Sequence, residues 1–143
     1  MTEADERARS KAVVTEFFER MNAGDLDGSF RLLADDCRWF SLSSRRFSAK
    51  EEMRATIAHV NEAMLRAPIV QTVIVLTAEE NRVAALTEGT AEGLNGARYD
   101  QRYHFLFELA DGLITRLWEF NDTFHAREFF SLNEEGRVPD RPS

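Results

Sequence analysis

A single cysteine, Cys37, stands in the 143-residue chain, so neither an intrachain disulfide nor a zinc site built on thiolates is expected. Histidine is scarce as well: His59, His104 and His125 show no HxxxH-type spacing, which gives no reason to expect a histidine-only metal site. No apolar run approaches the roughly 20 residues that a membrane-crossing helix needs. The amino terminus, Met-Thr-Glu-Ala-Asp-Glu-Arg, is charged and has no apolar core of a secretory signal, so a reducing cytoplasm is the expected location. Basic charge is in deficit: 18 Lys and Arg against 25 Asp and Glu give a formal net charge of −7. That surface repels phosphate backbones, and the pair Arg45-Arg46 is too small to track a duplex, so no nucleic-acid partner is expected. Phosphate-cradling glycine loops, dinucleotide fingerprints and a Ser-His-Asp order are also missing, and no cofactor is expected.

What remains is an ordinary globular composition, 43% hydrophobic and 30% charged, at the length of one domain. Val13, Val14, Phe17, Phe18 and Met21 keep the rhythm of an amphipathic helix over 10–21, closed by Gly24. Asp25 is placed to cap a short second helix bearing Leu26, Phe30 and Leu33. The aromatic stretch 36–42 reads as a strand. Ser48, with Glu51 three residues on, reads as the capping box of a third helix, whose buried stripe is Met53, Ile57, Val60 and Met64. After Pro68 the period becomes strand-like: 69–76, 82–92, 99–109 and 113–122 follow one another, with tight turns at Glu79-Glu80-Asn81, Gly93–Gly96 and Asp111-Gly112. A short helix over 124–130 closes the series. The expected fold is α+β in one domain, residues 1–132: three helices packed on one face of a curved antiparallel sheet, forming an open cone. Residues 133–143 lack apolar content and read as a flexible tail.

Three local sequences carry a resemblance: Asn22-Ala23-Gly24-Asp25-Leu26-Asp27 with Leu33-Ala34-Asp35-Asp36-Cys37, Tyr99-Asp100-Gln101-Arg102-Tyr103, and Asp111-Gly112-Leu113-Ile114 running into Trp118–Thr123. With the order of elements, they resemble the nuclear transport factor 2-like superfamily over about residues 8–130, on the side of its ketosteroid-isomerase-like and polyketide-cyclase-like (SnoaL-like) members. That resemblance implies the cone and a homodimer; the fold itself hosts isomerases, hydrolases, cyclases, dehydratases and binding modules. The isomerase positions for Tyr, base Asp and protonated Asp fall here on Phe17, Ser41 and Phe105. A Phe donates no hydrogen bond to an oxyanion and an unassisted Ser is a poor base, so steroid isomerisation by that route is not expected. Against limonene-epoxide hydrolases, Glu119 matches the last residue of the Asp-Arg-Asp group, but Glu88 and Thr90 stand at the other two positions.

Strict alternation puts Tyr99, Gln101, Tyr103, Phe105, Phe107 and Leu109 on one strand face; the resemblance turns Glu119 and Asn121 inward with them. A carboxylate in an apolar cone acquires a raised pKa and serves as acid or base, so Glu119 is the first catalytic candidate, against a plain structural ion pair. Tyr103 is the second, as donor to a ligand oxygen, against a core aromatic with a solvated hydroxyl. Gln101 and Asn121 are candidates for orienting a ligand, with Trp39, Phe17 and Phe105 as walls. Glu88 fits either a wet pocket wall or the exposed sheet face. The expected partners are a small, mostly apolar ligand and a second copy of the chain, joined through an outer face bearing Leu106, Trp118 and Phe120. The expected activity, where there is one, is cofactor-independent isomerisation, dehydration or hydrolysis. A non-catalytic binding or scaffold module with a filled pocket is the alternative, and a ring-dioxygenase small subunit, which shares the fold, ranks below both.

Overall fold

The computed structural model describes residues 1–134, with side chains to residue 131. Helix α1 (Glu3–Asn22) starts earlier than the apolar rhythm suggests. Thr2 and Asp5 form a reciprocal capping box, and Glu3, Asp5 and Glu6 complement the positive helix end. The helix ends in a paired reverse bond: Gly24 N–H donates to the Met21 carbonyl at 3.1 Å and Asp25 N–H to the Arg20 carbonyl at 2.9 Å. That closure requires a left-handed residue, and Gly24 supplies it at φ 77°. Asp25 then caps α2 (Leu26–Phe30), accepting from the Gly28 N–H at 2.9 Å.

Strand β1 (Leu33–Ser41) and the short β2 (Arg46–Ala49) form a hairpin ahead of α3 (Lys50–Ala63). Strands β3 (Val70–Glu79), β4 (Arg82–Glu92), β5 (Arg98–Ala110) and β6 (Leu113–Asn121) make the meander, and α4 (Thr123–Glu134) follows. The sheet has six strands in the order β2-β1-β6-β5-β4-β3. Its turns use the residues the sequence offers: Glu80, Asp111 and Gly112 all sit at positive φ.

Four of the sequence expectations are corrected. The sheet is mixed, because β1 runs parallel to β6. Ser48 lies in β2 opposite Trp39, so α3 begins after Ala49 without a side-chain cap; strand pairing outcompetes the local capping box. The short closing helix expected over 124–130 is longer: as α4 it covers the sheet's end and continues to Glu134, two residues into the expected tail; residues 135–143 lie outside the described residues. In the α3 stripe only Met64 is fully buried, while Met53, Ile57 and Val60 are half-buried. Those three face a cavity rather than solid core.

The solid core lies between α1 and the middle of the sheet. Phe17 and Phe18 meet Phe105 and Phe107 with ring centroids 5.3–5.9 Å apart, mostly edge-on. Such contacts add about 0.5–1.5 kcal/mol per pair beyond area burial. This aromatic layer is the floor on which the cone stands.

Candidate functional site

A cavity of about 870 Å³ opens between the inner sheet face, α1, α3 and α4. Its walls are largely apolar: Phe17, Phe18, Trp39, Phe105, Ile57 and Phe130 all contribute. The polar groups gather on β5 and β6, where cross-strand pairing sets Phe105 opposite Glu119 and Tyr103 opposite Asn121. Side chains so paired lie about 5 Å apart at Cβ, so this register concentrates the functional groups in one patch.

Glu119 is the only acidic side chain on the wall among the described residues. Its Oε1 accepts from the Trp39 indole N–H at 3.2 Å, and its Oε2 accepts from the Asn121 amide at 3.4 Å. Both donors are neutral. Burial therefore dominates and pushes the carboxyl up to about 7, although the indole hydrogen bond pulls the other way. A carboxyl at that value exchanges its proton near neutrality, which suits acid or base work. Asn121 Oδ1 is buried with no hydrogen-bond partner among the described residues, an acceptor that a ligand hydroxyl or amine would satisfy.

Beside this carboxyl, the Tyr99 and Tyr103 hydroxyls share a hydrogen bond of 2.6 Å. Burial pushes Tyr99 up to about 12 and Tyr103 well above the ordinary phenol value, and the nearby Glu119 charge adds to both. Both stay protonated at neutral pH, so the pair holds two O–H protons for one mutual bond. Each hydroxyl also has an amide within hydrogen-bonding reach, Gln101 for Tyr99 and Gln71 for Tyr103. Gln71, which lines the cavity, accepts from the Thr87 hydroxyl at 2.7 Å.

Glu119, Tyr103, Asn121, Trp39, Phe17 and Phe105 thus come together on one cavity. Gln101 does not join them. It is buried at 1% exposure, with its amide donating to the Asp122 carbonyl at 2.9 Å and accepting from the Asp122 and Arg102 N–H groups. Most of its hydrogen bonds tie β5 to the end of β6, and its side chain also lies within hydrogen-bonding reach of the Tyr99 hydroxyl. Glu88 lies on the outer sheet face, opposite Arg102 in register and 3.5 Å from its guanidinium. Charge pairing there, not a pocket, accounts for that mid-strand carboxylate. His125 stacks on Tyr99 at 5.3 Å and accepts the Asp100 N–H at 3.1 Å, while His59 and His104 are exposed.

Sequence reasoning passed over Tyr99, although it shares a face with Tyr103 by parity. It also passed over Gln71, Arg45 and Arg127, which reach the wall from a second strand, a turn and α4. No periodic signal marks those three. Among the described residues no group of three His, Cys, Asp or Glu side chains is placed to hold a metal ion. Burial pushes the Cys37 thiol up to about 11, which keeps it unreactive.

The sequence profile of the SnoaL-like domain matches residues 14–117. The fold is shared with PrhC from Penicillium brasilianum, at TM-score 0.81 and 16% identity over 91% of each chain. A Xanthomonas campestris protein provisionally named a polyketide cyclase aligns at TM-score 0.71 and 22% identity, over 87% of this chain and 98% of that one. TerC, solved after co-crystallisation with polyporic acid, aligns at TM-score 0.76 and 15% identity, over 86% and 98%. At these identities the likeness is one of fold. None of the curated proteins compared matches the chain.

Proposed function

Because the chain belongs to the SnoaL-like family of the nuclear transport factor 2-like superfamily, we propose that its cone binds a small, mostly apolar molecule and moves a proton on it. The observation that carries this reading is Glu119: a carboxyl raised to about 7, contacted by neutral donors, on the wall of an 870 Å³ cavity. Glu119 would take a proton from carbon next to a carbonyl, and the Tyr103 hydroxyl, on the same wall, would donate to the developing enolate oxygen. Returning the proton to another carbon is an isomerisation, and loss of a β-hydroxyl is a dehydration. Either needs no cofactor. That TerC was co-crystallised with polyporic acid supports a ligand-sized cone in this fold.

The test is hydrogen exchange in D2O on a panel of cyclic enolisable ketones, followed by proton NMR. Wild-type protein should speed deuterium uptake on at least one ketone, and Glu119→Gln should lose at least a hundredfold of that rate with an unchanged melting temperature. Equal exchange by both proteins would remove Glu119 from the chemistry. A ketone that binds yet never exchanges would favour the non-catalytic binding module, a reading that the solitary acid on the wall also supports.

The outer sheet face fits a second copy of the chain. Register aligns Ala84, Leu106, Trp118, Phe40 and Phe47 in one row across five strands, from β4 through β5, β6 and β1 to β2. Leu86 and Phe120, in the adjacent row, stay 43% and 41% exposed in the single chain. An apolar band of this breadth is more than a solitary domain ordinarily leaves open, and a homodimer would cover it.

A further inference from the structure

The cavity carries a second polar pole, at its rim. Arg45 comes from the turn between β1 and β2, and Arg127 from the first half of α4; both residues border the cavity and both are exposed. Neither has an ion-pair partner among the described residues, although carboxylates outnumber cations in the chain. The turn is held in place. Leu42 N–H donates to the Glu119 carbonyl at 3.1 Å, and Arg45 N–H to the Ser41 carbonyl at 2.8 Å. The backbone that carries the rim arginine is therefore anchored on the residue that carries the inner carboxyl. The remaining polar rim groups, such as Ser43, Ser44 and Ser131, are neutral.

Among the described residues the lining thus combines two exposed arginines, a set of aromatic rings and a single buried acid. Guanidinium groups without a carboxylate of their own seek a planar anion, which they bind by paired N–H donors. We infer that the ligand is a ring-bearing carboxylate: its carboxylate meets Arg45 and Arg127 at the rim, its ring lies among Trp39, Phe18 and Phe105, and its carbonyl or hydroxyl end faces Glu119. The inference rests on the cavity being a small-molecule site, as proposed above. It adds the charge of the molecule and the direction in which it enters. Carboxylate first would set Glu119 against a like charge, so the ring end goes in first.

Calorimetric titration with two isosteric probes, naphthalene-2-carboxylate and naphthalene-2-carboxamide, tests it on the full chain and on the Arg45→Gln/Arg127→Gln double variant. Both arginines are exposed, so the variant should keep the wild-type melting temperature. Wild-type protein should bind the carboxylate about tenfold more tightly than the amide, and the double variant should lose that preference while holding the amide unchanged. Equal affinities in wild type, or an undiminished carboxylate affinity in the variant, overturn the anionic ligand but leave the cavity reading standing. Failure of both probes to bind wild type at millimolar concentration overturns the inference together with that reading.

Discussion

At the scale of single residues, Glu119 has consequences for stability as well as for chemistry. Its folded pKa of about 7 lies above the ordinary 4.5, so the folded state holds its proton more tightly than the unfolded chain. The stabilisation linked to this proton is complete below about pH 4.5 and is lost as pH rises to about 7. The full loss is roughly 3 kcal/mol at most. Urea denaturation at pH 5 and pH 8 should show Glu119→Gln, which stays neutral, losing less stability over that interval than wild type. Equal losses would mean that the carboxyl is ionised in the folded state as readily as in water. Gly89 sets the place of Tyr103: a Cβ there would stand 2.7 Å from the tyrosine ring and 3.2 Å from the Gln71 amide. Gly89→Ala should cost about 1–3 kcal/mol in urea melts and shift Tyr103 away from Tyr99. Alternation sorts the residues of β5 and β6 into two faces and the family resemblance chooses the inward one, yet parity alone did not separate Tyr103 from Gln101. Both point inward; only the meeting of Gln101 with the Asp122 backbone, 21 residues away, decides that it is a clamp.

At the scale of elements, helices and turns followed local chemistry more faithfully than sheet order did. Gly24, Asp25 and the Asp111-Gly112 turn carry their instructions within a few residues. The Gly24 position can be tested directly. An added Cβ meets nothing closer than Pro68 at 3.7 Å, so Gly24→Ala pays only for φ 77°. That cost is about 1 kcal/mol, a fall of about 3 °C in the thermal midpoint by circular dichroism. A larger fall would reveal packing at that turn beyond the backbone term. The pairing of β1 with β6 is the opposite case. It joins Ser41 to Glu119 in parallel register, and no local signal announces which distant strand a short aromatic run will choose. Glu88 illustrates the same limit, since its period fixes a face but not which face is wet.

For the whole molecule, the sheet divides two expected partners. The inner face looks on the cavity and the outer face bears the apolar rows ending at Phe47 and Phe120. If a second copy covers those rows, sedimentation at micromolar concentration should give twice the 16.4 kDa chain mass. Leu86→Lys/Phe120→Lys should return the mass to one chain, because burying two ammonium groups per copy costs more than such an interface recovers. A single-chain mass for wild type would leave the face without that partner.

The chain has two tryptophans, and the sheet puts one on each side. Trp39 lines the cavity with its indole on Glu119, while Trp118 lies in the outer row between Leu106 and Phe40. Each is therefore an intrinsic fluorophore for a different event. In a Trp118→Phe protein the remaining emission reports the cavity, and ionisation of Glu119 beside the indole should change it with a midpoint near pH 7. In a Trp39→Phe protein the emission reports the outer face, and it should respond to dilution rather than to a cavity ligand.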